Sequence, residues 1–262
     1  MTKKEGDGSM RILVCFKVLP VFENVLDADW DDFTLQSDIS YAKRALNCFD
    51  ESALEIALQL REALLEKGEP AFCAAVTAGP APPAFVRKLL FAVGFDQIQV
   101  LENNYLEFQS NKTAAVLAEF AREGAYDLIL TGKQAGYADT GTVPLLLAEA
   151  LGLSAVTEVE TVELHELGFA LTRATDFGRE RLVVRPPILA SIGNSPAAVL
   201  RPATLRAQLL AAKREMDVRQ VPGGAGVSVQ LRREQHRRAG EMLSGEDVQE
   251  LAQALYDFCK GM

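Results

Sequence analysis

Histidine is nearly missing from this chain. His165 and His236 are the two in 262 residues, and the four cysteines, Cys15, Cys48, Cys73 and Cys259, never stand in a Cys-x-x-Cys spacing. Ligands so few and so spaced exclude a zinc centre, and no metal is expected. Catalytic dyads are lacking too: His165 sits in an acidic β stretch and His236 in a basic one, so no catalytic residue is assigned. No run approaches the ~18 apolar residues of a membrane-spanning helix, which predicts no membrane insertion. Residues 1–10 are short, polar and charged, without the apolar segment of a secretory signal. They read as a flexible leader on a cytoplasmic protein without disulfides. An excess of positive charge is also absent, since 27 basic residues face 36 acidic ones for a net −9. Nucleic acid is thereby excluded as a partner. The local run Arg232, Arg233, Arg237 and Arg238 reads as a solvated or partner-facing arm. No Walker A string occurs. Asp176-Phe177-Gly178 has no kinase-type catalytic loop with it, and is a turn.

Hydrophobic residues at 48 % and charged residues at 24 % are the balance of an ordinary globular protein. The apolar run 11–17 predicts a strand buried on both faces, followed by acidic sequence through Trp30 and Phe33 holding a small hairpin. Asp50 is read as the N-cap of a helix whose apolar face is Ala53, Ile56, Ala57, Leu60 and Leu64, closed by Gly68. Strands are expected over 71–78, 97–101, 126–131 and 188–192, and helices over 85–93, 113–122 and 144–151. Val- and Thr-rich sequence from Val156 to Val184 predicts further strands around a turn at Asp176–Arg179. Strands alternating with helices give an α/β fold, doubly wound, with a mostly parallel sheet. The domain is placed at 11–194. Residues 195–262 are placed as a C-terminal segment: an Ala/Arg/Pro-rich stretch, a Gly-rich linker over 222–226, and a last amphipathic helix. That helix carries Val248, Leu251, Ala252, Leu255 and Cys259, and either wraps another subunit or packs back on its own domain.

A parallel sheet of this kind binds ligands beyond the carboxyl ends of its strands. Three loops lie there, at Cys15-Phe16-Lys17, at Thr77-Ala78-Gly79-Pro80 and over 132–143. The third is long for a strand-to-helix connection and feeds a helix with Pro144 in its first turn. Unpaired N–H groups and the helix dipole would suit a phosphate there. By itself this reads as an adenine-nucleotide site or as a plain capped loop.

Several segments in order sharpen the choice. Gly132-Lys133-Gln134-Ala135, followed by Asp139-Thr140, resembles the nucleotide loop of electron transfer flavoprotein β-subunits. Arg11–Pro20 is similar to that family's first strand, Asn47-Cys48-Phe49-Asp50-Glu51 to the segment before its first helix, and Ala78-Gly79-Pro80 to its second loop. Arg173–Ala190 and Arg201–Leu205 also resemble family segments. The likeness runs from about residue 11 to 260. It implies an adenine-nucleotide-binding type of fold and a role as electron carrier, not enzyme. It further implies AMP or a second FAD on this chain and the main FAD on a partnering α-subunit, with a flavin dehydrogenase as redox partner. The implied nucleotide contacts are Cys15, Asn47, Cys48, Phe49, Asp50, Ala78, Lys133, Gln134, Ala135, Asp139, Thr140, Gly141, Thr142 and Val143. The implied partner-recognition residues are Arg201, Thr204 and Leu205. Tyr137 and Pro144 depart from the family pattern, and proline has no N–H to offer a phosphate. The competing readings are a nucleotide-binding α/β protein of another kind and a structural partner subunit with a degenerate pocket.

Overall fold

Buried at every residue, Leu128–Gly132 and Ile188–Ile192 are the mostly apolar runs that the centre of a parallel sheet requires. The computed structural model describes residues 8–21, 26, 29–31, 33, 41–103, 106, 109–136, 140–222 and 247–260. The first half of the chain runs β1 (Met10–Cys15), β2 (Val18–Pro20), β3 (Arg44–Leu46), α1 (Cys48–Glu66), β4 (Ala71–Ala78), α2 (Ala84–Val93), β5 (Gln97–Glu102), α3 (Ser110–Gly124) and β6 (Leu128–Gly132). It continues through α4 (Val143–Leu151), β7 (Ser154–His165), β8 (Gly168–Thr175), β9 (Gly178–Val184), β10 (Ile188–Ile192), α5 (Leu205–Ala211), β11 (Asp217–Gln220) and α6 (Val248–Lys260).

Nine strands form one sheet in the order β11-β5-β4-β1-β6-β10-β7-β8-β9 among the described residues. β11 through β7 are parallel, and only the meander β7-β8-β9 runs antiparallel. The α/β, doubly wound, mostly parallel fold expected from the sequence is the fold observed. Successive residues of β1 serve opposite layers. Ile12 and Val14 pack in the core under α1 and α2, while Leu13 and Cys15 pack in the core under α3 and α4. After β1 the chain builds β4 and β5 to one side, then returns to lay β6 on the other. The strand order therefore reverses between β1 and β6, which opens a crevice at their carboxyl ends.

Two expectations change here. Asp50 does not cap α1: the helix starts at Cys48, the N-cap position is Asn47, and no side chain caps it. Asp50 lies inside the first turn and is buried, because its carboxylate is drawn to the crevice rather than to its own helix. The expected face of α1, Ala53, Ile56, Ala57, Leu60 and Leu64, is buried. The boundary placed at Asn194 also moves. β11 pairs with β5 as the edge of the sheet, so the α/β unit runs on past it. The acidic stretch is flanked by an antiparallel ribbon, β2 with β3.

By its contacts the chain forms two units, residues 1–30 with 37–229, and residues 31–36 with 230–262. In the second, α6 is described: Asp247 Oδ1 accepts from the N–H groups of Gln249 and Glu250 at 2.8 and 2.9 Å, capping the helix. Its Leu255, Tyr256 and Phe258 are exposed. Residues 1–7 of the leader, the linker over 223–226 and the basic run Arg232–Arg238 lie outside the described residues. Among the described residues no helix is long and apolar enough to cross a membrane, and no cluster of His, Cys, Asp and Glu is placed to hold a metal.

Candidate functional site

The crevice between β1 and β6 opens into a cavity of about 360 Å³, within the ~300–1,000 Å³ of small-molecule sites. Its floor is tied together by Asp50. One carboxylate oxygen accepts the Lys17 N–H at 2.8 Å and the other accepts the Gly132 N–H at 3.0 Å. A single side chain from the first turn of α1 thus joins the ends of two neighbouring strands. Asp50 is 6 % exposed. Burial pushes its carboxyl up to about 7, against the hydrogen bonds from Lys17, Asn47 and Gly132 that favour the charged form. Glycine is required at 132 for the same reason. A Cβ there would stand 2.3 Å from Asp50 Oδ1 and 2.8 Å from Phe49 Cβ.

One turn earlier, Asn47 Nδ2 donates to the Gln134 carbonyl at 2.8 Å. The two segments that looked alike to one family in the sequence are therefore in contact, though far apart along the chain. Lys133 turns across this junction, its ammonium 3.2 Å from Glu158 Oε2 and 5.1 Å from the Phe49 ring centroid. Glu158 holds a left-handed φ of 55° where the pairing of β7 slips register. Beyond Lys133 the loop is linked by hydroxyls: Ser110 to Thr140 at 2.8 Å and Thr140 to Thr142 at 2.6 Å. Gly141 takes a φ of 66°, the left-handed turn that brings the chain into α4.

Of the expected nucleotide contacts, Cys15, Asn47, Asp50, Ala78, Lys133, Gln134, Ala135 and Val143 line the cavity, and Pro144 lines it beside them. Cys48, Phe49, Thr140, Gly141 and Thr142 do not. Cys48 is exposed, and Phe49 packs under Lys133 instead. Asp139 and Tyr137 lie outside the described residues. Residues that no sequence signal picked out complete the wall: the turn Ala81-Pro82-Pro83, the first turn of α3 at Ser110, and Thr131 at the end of β6. Among the described residues the buried Thr131 hydroxyl has no hydrogen-bond partner. Strand order was the missing information, since Asn103 after β5 and Ser110 of α3 reach the cavity only because β5 lies next to β4.

The expected recognition residues separate. Arg201 is engaged within the chain: its guanidinium donates to Glu55 at 2.7 and 3.0 Å and also to Glu62, both on α1. Thr204 caps α5, its Oγ1 accepting the Ala207 N–H at 3.2 Å. Both make hydrogen bonds within the chain. Leu205 differs, being 73 % exposed, with Leu209 and Leu210 exposed on the same short helix.

Residues 34–222 match the family described as the electron transfer flavoprotein domain. A protein of Escherichia coli (strain K12), named as a candidate electron transfer flavoprotein subunit, YgcR, is 28 % identical over 253 residues, covering 94 % of this chain and 96 % of that one. The electron transfer flavoprotein subunit beta of Bradyrhizobium diazoefficiens is 28 % identical over 174 residues, 65 % of this chain and 68 % of that one. That of Thermoanaerobacterium thermosaccharolyticum is 28 % identical over 145 residues, 55 % and 54 % of the two chains. With a doubly wound sheet, a cavity at its reversal point and this match over most of its length, the chain belongs to the electron transfer flavoprotein family.

Proposed function

We propose that this chain is the β-type subunit of a heterodimeric electron transfer flavoprotein, carrying electrons between a flavin dehydrogenase and a downstream acceptor. The observation that carries the reading is the junction at the crevice, where Asn47 bonds Gln134 and Asp50 bonds Gly132. That junction builds one cavity from the two segments whose sequences resemble the family. In this reading the cavity holds an adenine nucleotide, taken as AMP, with a second FAD as the alternative that the released nucleotides distinguish. The main FAD belongs to an α-type partner, and α6 with its exposed apolar side chains covers that partner. Co-expression with an α-type chain, followed by identification of the nucleotides released on denaturation, tests the reading. One FAD and one AMP per heterodimer are expected. A yellow monomer carrying stoichiometric FAD without any partner would overturn it.

Leu205 is the recognition element in this reading, with Arg201 and Thr204 as its supports. An apolar anchor filling a partner pocket contributes ~1–3 kcal/mol, or roughly 5- to 150-fold in affinity. Leu205→Ala is expected to weaken electron transfer to the dehydrogenase by such a factor while flavin content and Tm hold. Loss of several degrees in Tm would instead mark Leu205 as a packing residue.

A further inference from the structure

On the face of the sheet that meets α3 and α4, one row of side chains ends the core and the next row begins something else. Leu13 of β1, Ile129 of β6 and Leu189 of β10 are in register and fully buried. Two residues closer to the carboxyl ends, the same face carries Cys15, Thr131 and Ser191, again in register. All three are buried, yet each bears a polar atom. Thr131 is 4 % exposed, its hydroxyl has no partner among the described residues, and it lines the cavity. An orphaned buried hydroxyl is unfavourable in an empty protein, so its place in the wall of a cavity points to a ligand.

The surrounding donors say which part of a ligand comes here. Four backbone N–H groups at the ends of β1 and β6 could in principle meet a phosphate. Those of Lys17 and Gly132 go to Asp50, that of Phe16 goes to the Val76 carbonyl, and that of Lys133 to the Ile192 carbonyl. None is left for an anion. Asp50 already supplies the acceptor for two of those N–H groups, so the strand ends are satisfied from within the chain. The group that reaches Thr131 is therefore uncharged. A phosphate belongs farther out, toward α4, where Val143 and Pro144 enter the wall.

Resting on the nucleotide reading of this cavity, we propose that Thr131 is a ligand-selecting residue whose hydroxyl bonds the neutral, nucleoside portion of the bound nucleotide. The test uses the full chain with Thr131→Val, which deletes the hydroxyl at nearly constant shape, and Thr131→Ser, which keeps it. Calorimetric titration with adenosine and with AMP reads the affinities, and thermal melting without ligand reads the fold. One hydrogen bond lost leads us to expect Thr131→Val to weaken adenosine and AMP alike by about 3- to 10-fold. The Ser variant stays near the wild type, and the ligand-free Val variant melts no lower than the wild type. A loss confined to AMP would place the hydroxyl on the phosphate and overturn the proposal. So would unchanged affinities, or a lower Tm without ligand, which would make the hydroxyl structural. If the wild type binds neither compound, the nucleotide reading itself falls, a result distinct from wild-type binding that the Val variant leaves untouched.

Discussion

Asp50→Ala is expected to lower the unfolding free energy by about 2–6 kcal/mol at pH 5, because it orphans two buried N–H groups at ~1–3 kcal/mol each. Those groups, on Lys17 and Gly132, have Asp50 as their acceptor. The carboxyl, ordinarily titrating at 3.8, is raised by burial to about 7. Between those values the folded chain holds a proton that the unfolded chain has lost, so stability falls as pH rises through the window and levels off above it. The variant has no such group and should show a flatter profile from pH 4 to 7. Its deficit against the wild type is thus larger at pH 5 than at pH 7 or 8. Urea melts of both proteins at pH 5, 6, 7 and 8 check this. An unchanged midpoint at pH 5 would mean the tie between the strands is not structural, and an unchanged slope in the variant would place the titrating group elsewhere.

Arg201→Ala should cost about 2–4 kcal/mol, somewhat less than the loss of a fully buried ion-pair partner because the guanidinium is partly exposed. Glu55 is buried, and burial opposes its charge. The Arg201 hydrogen bonds outweigh that opposition and hold its carboxyl below the ordinary range. Without Arg201 a buried carboxylate on α1 loses its cationic partner. Arg201→Lys restores a charge but not the forked contact to Glu55 and Glu62, so it should recover less than half of the loss. The measurement is again equilibrium unfolding. A stable Arg201→Ala protein with impaired electron transfer would instead return Arg201 to direct partner recognition.

These two residues also show what was and was not legible in the sequence. Helix α1 was readable because its apolar positions recur at helical spacing, and β4 and β10 because each is a short, mostly apolar run. Asp50 was misread as a cap, since an acidic residue just before an apolar periodic stretch has the same local pattern whether it bonds its own helix or reaches across a crevice. Arg201 was assigned to partner recognition by resemblance, and nothing local records that Glu55 and Glu62, on α1, bond it. α5 and β11 left no trace at all. Asp217–Gln220 is exposed along its whole length, so it carries no alternation of polar and apolar residues. Of the eight expected residues that line the cavity, six (Cys15, Ala78, Lys133, Gln134, Ala135 and Val143) lie on the three loops that follow strands. The rest of the wall depends on which strands are neighbours, which no single segment encodes.

The edge strand β11 has a mechanical meaning. From β10 the chain crosses over the sheet to reach the far side of β5, where Asp217–Gln220 pair with Gln99–Glu102. It is stitched down along the way. Arg201 holds one end to α1, Arg214 donates to the Phe95 carbonyl at 3.2 Å, and Arg219 holds Glu123 at 2.7 and 2.8 Å. Leu205 therefore rides on a strap fastened at both ends, not on a free tail, and a partner pulling on it loads the whole sheet. The same strap seals the hydrogen-bonding rim of β5, which a chain cut short at Asn194 would leave as an open template for edge-to-edge aggregation.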